Sequence, residues 1–224
     1  MSAKRLASVI LAGCCALPLV AAAEQGDWLF RAGTHLIDPK SDNLENVLDD
    51  PDLTLSVDDA WGFTFNITYM FADNWGVELL AAAPYKHDIA LTGFGQIGET
   101  KHLPPTLSVQ YHFNPIGSFR PYIGAGINWT LFDSEDLDDD FVAALGLPAG
   151  TDLKLDDSVG AALQIGTDIA INASWFVTID IRWIDIDTDA EVRLPAGGGS
   201  VGLGTVEIDP MLYGLMVGYR FGGR

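Results

Sequence analysis

The segment Trp175–Asp187, WFVTIDIRWIDID, puts a large apolar residue at every second position: Trp175, Val177, Ile179, Ile181 and Trp183. Thr178, Asp180 and Arg182 stand between them. A period of two marks a strand whose faces meet different surroundings. One face is too charged for a core and the other too apolar for an ordinary solvated surface. Each must therefore look into a medium of its own, and this requirement constrains the fold more than any other feature of the chain.

The pattern is not local. Alternation recurs about eight times after the first 23 residues, and no stretch there keeps a long helical period. Its apolar faces open at Trp28, Trp61, Trp75, Pro105, Pro121, Val159, Trp175 and Tyr213. The opposite faces carry small and polar residues, among them Gly33, His35, Gly62, Thr64, Asn66, Gly124, Gly126, Gln164 and Asp168. A soluble sandwich turns its polar face outward and studs it with Lys and Glu. Here the polar face is too small and too rich in glycine, which suits the crowded inside of a narrow barrel. The bulky residues then face lipid, and backbone groups in hydrocarbon must all be paired, so the sheet must close. Aromatics gather at strand ends as two interfacial girdles: Trp28, Phe71, Trp75, Phe113, Trp175 and Phe221 at one, Trp61, Tyr85, Trp129 and Trp183 at the other.

The N-terminus agrees with export. Lys4 and Arg5 precede an apolar run from Leu6 to Val20, and Ala21-Ala22-Ala23 follows. This is the form of a secretory signal peptide, with cleavage expected after Ala23 and the barrel occupying 24–224. Leu11-Ala12-Gly13-Cys14 also has the form of a lipoprotein box, the competing outcome. Both cysteines, Cys14 and Cys15, lie in this segment, so the mature chain is expected to contain no disulfide. Removing Lys4 and Arg5 takes the net charge from -19 to -21, which argues against a nucleic-acid partner. The acid concentrates in Asp38–Asp59 and Asp133–Asp157, two of the long connections. Short, turn-rich joints at Ala72-Asp73-Asn74, Asn114–Ser118 and Asn172-Ala173-Ser174 alternate with long segments near 38–57, 88–99, 133–157 and 187–204. Such asymmetry belongs to outer-membrane barrels, with the turns and both termini on the periplasmic side.

Several phrases carry a family resemblance: GDWLFRAG near the mature N-terminus, LPPTLSVQYHF from Leu103, RPYIGAGINWT from Arg120, WFVTIDIRWIDI from Trp175 and VEIDPMLYGLMVGYRF ending at Phe221. The chain resembles the OmpW family of Gram-negative outer-membrane proteins, which includes alkane importers of the AlkL type. The resemblance implies an all-β, eight-stranded antiparallel transmembrane barrel that passes small hydrophobic molecules, with sideways release from lumen to bilayer. Lipid, lipopolysaccharide and the barrel-assembly machinery are the implied partners, and no cofactor is implied. The chain departs from the family at its end: Gly222, Gly223 and Arg224 follow the terminal aromatic Phe221.

Proline cannot donate to a strand ladder. A hairpin centred near Phe94 and Gly95 sets Pro84 opposite Pro105, with Pro104 adjacent, and clusters the missing donors in one seam. That seam is the candidate lateral gate; the competing reading is a bulge at the water line. Leu53, Leu55, Phe132, Phe141, Val142, Leu145 and Leu147 are candidates for an apolar funnel above the lumen, with a short helix over Asp138–Leu145. Glu78, Gln110, His112, Asp180 and Arg182 are candidates for a lumen plug that blocks straight passage. The acidic loops lack the ligand spacing of an EF-hand, so no metal is expected. His102, Ser108 and His112 share one face, but Ser108 lies about 20 Å from His102 and about 14 Å from His112 along an extended strand, so no enzyme is expected. PAGGGSVGLG at 195–204 reads as a flexible external loop. A non-transporting barrel, structural, stress-related or receptor in role, is the rival to uptake.

Overall fold

The computed structural model describes residues 23–40, 44–45, 47 and 50–222, apart from the side chains of 134, 135 and 196. The expected signal segment with Cys14, except Ala23, and the final Gly223-Arg224 lie outside the described residues.

The chain runs through β1 (Trp28–Asp38), β2 (Leu44–Glu45), β3 (Thr54–Val57), β4 (Ala60–Ala72), β5 (Trp75–Ala82), β6 (Tyr85–Leu91), β7 (Gly95–Leu103), β8 (Thr106–His112) and β9 (Phe119–Leu137). After α1 (Asp139–Ala144) come β10 (Asp152–Leu155), β11 (Ser158–Ala170), β12 (Trp175–Ile184), β13 (Asp187–Arg193), β14 (Ser200–Glu207) and β15 (Met211–Phe221). Eight of these close an antiparallel barrel in the order β1, β4, β5, β8, β9, β11, β12, β15 and back to β1. The closing ladder joins the first and last strands, from Trp28↔Phe221 to Asp38↔Met211. Closure pairs each of the eight strands with a neighbour on both sides, as the alternation required, apart from a short break where β5 and β8 give way to β6 and β7.

The two faces separate as expected. Phe63, Ile165 and Leu215 are more than half exposed on the outside, whereas Thr64, Asn66, Glu78 and Gln110 are fully buried in the lumen. Cross-strand aromatic pairs form a girdle at the turn end: Trp28–Tyr69, Trp75–Tyr111 and Trp175–Tyr219, with ring centroids 4.8, 5.0 and 4.9 Å apart. The turn at Asn172 is held by its own side chain, whose Oδ1 accepts from the Ser174 and Trp175 amides at 2.9 Å each. No helix among the described residues is long and apolar enough to cross a membrane.

The long connections build a second storey. The β6/β7 hairpin prolongs β5 and β8, with β3 and β2 added at its side, while β10, β13 and β14 form a separate three-stranded sheet. Residues 195–204 are therefore not the flexible loop expected from their glycines. Positive φ at Gly197 and Gly199 makes the turn, after which β14 pairs with β13 from Arg193↔Ser200 onward.

Where β5 passes into β6 the register changes. A ladder continued from Leu80↔Thr106 would bring Pro84 level with His102, yet His102 pairs with Tyr85. One extra residue is thus absorbed at Ala83-Pro84, both exposed, while Ala82 and Tyr85 on either side are buried. Two expectations are corrected. Pro84 does not face Pro105, which falls level with Ala81, and Tyr85 turns into the barrel at 1% exposure instead of joining the outer girdle. A hairpin count cannot register a bulge, and a bulge flips the parity of every residue beyond it.

Candidate functional site

The lower lumen is filled by ion pairs. Arg182 donates from Nε to Asp180 Oδ2 and from Nη1 to Glu78 Oε1, both at 2.7 Å. Asn66 donates to the other Glu78 oxygen at 2.9 Å, and His35 bridges Asp180 (3.0 Å) and Thr64 (2.7 Å). Lower down, Arg31 donates from Nη2 to Asp168 Oδ2 at 2.8 Å and from Nη1 to Thr68 at 2.8 Å, its guanidinium lying 5.3 Å from the Phe176 ring centroid. Gln110 accepts from His112 Nε2 at 3.0 Å. All the expected plug residues are buried in one connected region, and the pattern adds Arg31 and Asp168, which complete it. Charges this deeply buried persist only when paired and hydrogen-bonded. The pairing also needs room: a Cβ on Gly214 would lie 2.0 Å from Asp180 Oδ1 and 2.4 Å from His35 Nε2.

Farther up, beyond the inward-facing Tyr85, His87, Thr100 and His102, the lining becomes apolar. A cavity of about 300 Å³ is walled by Leu53, Leu55, Leu91, Phe94, Ile97, Phe141, Leu145, Leu147 and, from the second sheet, Leu153, Val192, Val201 and Leu203. The helix α1 sets one wall. Asp139 and Asp140 sit in its first turn, where carboxylates suit the helix dipole. At its end Gly146, φ +66, donates to Ala143 O, and Leu147 donates to Val142 O, both at 3.0 Å, which stops the helix in a Schellman turn. Phe141 and Leu145, four residues apart, thereby share the face turned to the cavity, and Phe141 meets Phe94 edge-on at 5.5 Å.

Of the expected funnel, Leu53, Leu55, Phe141, Leu145 and Leu147 line this chamber. Phe132 does not; it is buried lower, beside His102 at 5.8 Å. Val142 is buried but does not line this space. The sequence reading missed Leu91, Phe94 and Ile97 of β6/β7 and the wall from β10, β13 and β14. Alternation in LKL, VRL and VGL was the available signal.

Between chamber and plug the wall is interrupted. Ala81–Pro84 and Leu103–Pro105 form no ladder pairs with each other among the described residues. Each side is held from behind instead: Ala83 donates to Phe63 O at 2.9 Å, and Pro105 O accepts from Trp129 N at 2.9 Å. Pro84, Pro104 and Pro105 thus flank one unzipped seam, although Pro84 and Pro105 are not partners.

His102, Ser108 and His112 are not brought together. His102 stacks on His87, His112 bonds Gln110, and Ser108 stands across the ladder from Glu78 and Gly126. Outside the barrel Asp185, Asp187 and Asp209 bring carboxylate oxygens within 4.8 Å of one another. Lys40 lies 3.6 Å from Asp209 and also pairs with Glu207. Burial, reinforced by Asp209 and Asp185, holds the Asp187 carboxyl above the usual carboxylate range.

Comparison with known proteins agrees with this architecture. The OmpW family profile matches residues 24–221. Outer membrane protein W of Vibrio cholerae serotype O1 is 40% identical over 220 residues, covering 95% of this chain and 96% of the relative. The dibenzothiophene metabolism operon protein PahQ of Pseudomonas aeruginosa is 30% identical over 210 residues, covering 89% and 90%. The crystal structure of OprG from Pseudomonas aeruginosa superposes with a TM-score of 0.75 at 34% identity, covering 90% of this chain and 99% of that one. The chain belongs to the OmpW family and crosses the outer membrane of a Gram-negative bacterium as a closed eight-stranded barrel.

Proposed function

We propose that this barrel passes small hydrophobic molecules across the outer membrane by passive flow with lateral release. The mature protein begins after Ala23, following removal of the signal segment. A solute leaves the lipopolysaccharide layer for the apolar chamber, meets the plug of Arg182, Glu78 and Asp180 below it, and exits sideways through the seam at Pro84, Pro104 and Pro105. The observation that carries this reading is the vertical order of three features: an apolar cavity, an interruption in the wall beneath it, and a lumen closed by buried ion pairs below that. An apolar solute is repelled by the plug because entering it would separate charges that need each other. At the seam there are fewer ladder bonds to break, and hydrocarbon lies outside. The movement runs down the solute's own gradient and needs no energy source. A relative named for dibenzothiophene metabolism fits a hydrophobic cargo.

Uptake of a labelled apolar solute by liposomes holding the folded barrel is the direct test. Flux above that of empty liposomes, reduced when Leu145→Asp fills the chamber with charge, is the expected result. Flux equal to that of empty liposomes would leave the non-transporting barrel as the better reading.

A further inference from the structure

The inward faces of β6 and β7 change character between the chamber and the seam. Leu91, Ile89 and Ile97 are followed toward the membrane by His87, Thr100, Tyr85 and His102, arranged as two adjacent ladder pairs, His87↔Thr100 and Tyr85↔His102. Their exposures are 2, 2, 1 and 4%. On each of them one buried polar atom has no hydrogen-bond partner in the protein: His87 Nε2, Thr100 Oγ1, Tyr85 Oη and His102 Nδ1. Other buried polar atoms of the lumen, among them Tyr122 Oη and Gln164 Nε2, also lack a partner, but these four stand together on two neighbouring pairs. Directly opposite residues bring their side chains together. The rings are indeed close, with His87 stacked on His102 at 4.9 Å and Tyr85 at 5.6 Å from His102.

The chemistry of the group can be read further. His87 Nδ1 lies 2.6 Å from the Asp58 carbonyl oxygen, which only accepts, so in the neutral ring Nδ1 carries the proton and Nε2 offers a lone pair. The hydroxyls of Thr100 and Tyr85 can each donate or accept. A ligand hydroxyl can donate to His87 Nε2 and accept from Thr100 or Tyr85 at the same time, which matches this set of atoms. The chamber above this collar is lined by apolar side chains, which suits a ligand whose remainder is hydrocarbon.

We propose that Tyr85, His87, Thr100 and His102 form a hydrogen-bonding subsite that takes the hydroxyl of an otherwise apolar alcohol or phenol on its way from chamber to seam. This rests on the reading of a solute path through the chamber and sharpens it. The barrel selects monohydroxylated hydrophobic compounds over bare hydrocarbons. A hydrocarbon crossing the collar leaves the polar atoms unmet, whereas a hydroxylated one exchanges its hydrogen bonds with water for bonds to the collar.

The test compares 2-naphthol with naphthalene, near-isosteric and both fluorescent, for binding to the barrel in lipid nanodiscs, with empty nanodiscs subtracted. The expected result is about tenfold tighter binding of 2-naphthol, equivalent to one hydrogen-bonded group. His87→Leu, Thr100→Val and Tyr85→Phe should each lower that ratio, with folding checked by the heat-dependent electrophoretic shift of barrels. If His87→Leu fails to fold, the two milder variants carry the test. A ratio near one in the unaltered protein overturns the subsite. So does a ratio that survives all three substitutions, which would mean that fixed water alone satisfies the collar. Preferential 2-naphthol binding without flux into liposomes would keep the subsite and defeat transport. No protein-dependent binding of either probe would defeat both.

Discussion

Arg182 on β12 and Glu78 on β5 meet across the whole width of the barrel, Nη1 to Oε1 at 2.7 Å, from strands that stand diametrically opposite in the closed wall. The contact spans the lumen at one level and ties two opposite strands together.

Removing Glu78 leaves the buried Arg182 with Asp180 as its one remaining ion-pair partner among the described residues. Glu78→Gln is expected to cost about 3 kcal/mol of barrel stability, read from urea titration of the protein refolded in liposomes. Glu78→Met combined with Arg182→Met and Asp180→Asn should recover most of that loss, because Asp180, which also pairs with Arg182, is then neutral and no lone charge remains. A midpoint unmoved by Glu78→Gln would show that the pair braces nothing.

The seam is open to a covalent test, since both cysteines of the chain lie in the expected signal segment. Ala82 and Pro104 are buried on facing sides of the interruption, and Ala82→Cys with Pro104→Cys would staple it under oxidising conditions. Solute flux should fall to the level of empty liposomes when oxidised and return on reduction. Undiminished flux through the oxidised protein would place the exit elsewhere.

Phe141 supplies a large part of one chamber wall and packs on Phe94. Phe141→Asp replaces an apolar contact with a charge and should weaken binding of an apolar solute roughly tenfold or more. Solute titration against the refolded variant reads this directly, and unchanged affinity would remove the chamber from the path.

The raised Asp187 carboxyl makes the outer sheet sensitive to pH. A carboxyl that holds its proton more tightly when folded contributes stability below its unfolded value of about 4, and that contribution is lost as pH rises through the folded value. Hydrogen exchange of the β13/β14 amides, corrected for intrinsic rate, should show weaker protection at neutral pH than at pH near 4. Asp187→Asn should flatten the dependence. Equal protection at both values would contradict the assignment.

Much of the buried ion-pair group was legible because a strand's inward residues follow from parity alone. Asp180 and Arg182 interrupt an apolar strand at the right positions, and Glu78, Gln110 and His112 do the same on β5 and β8. Arg31 has the same parity beside Gly33 and His35, so its signal was present in the sequence. Tyr85 was not legible. Its parity follows from the extra residue at Ala83-Pro84, and proline marks such a place without saying which way the strand shifts. The chamber was half legible: Leu53, Phe141 and Leu145 stand out in acidic loops, whereas the alternation of Val201 and Leu203 is brief and set among glycines, and pairing of β14 with β13 is what brings them to the same space.

By itself the sequence determined that this is a closed barrel in lipid, because period-two alternation is a property of each strand taken alone and both of its faces must be matched by a medium. Tertiary structure decided which residues meet. Closure sets Arg182 against Glu78, and a single bulge turns Tyr85 and His87 inward beside an unzipped seam. Such contacts depend on register and curvature summed around the whole wall, and no local pattern encodes that sum.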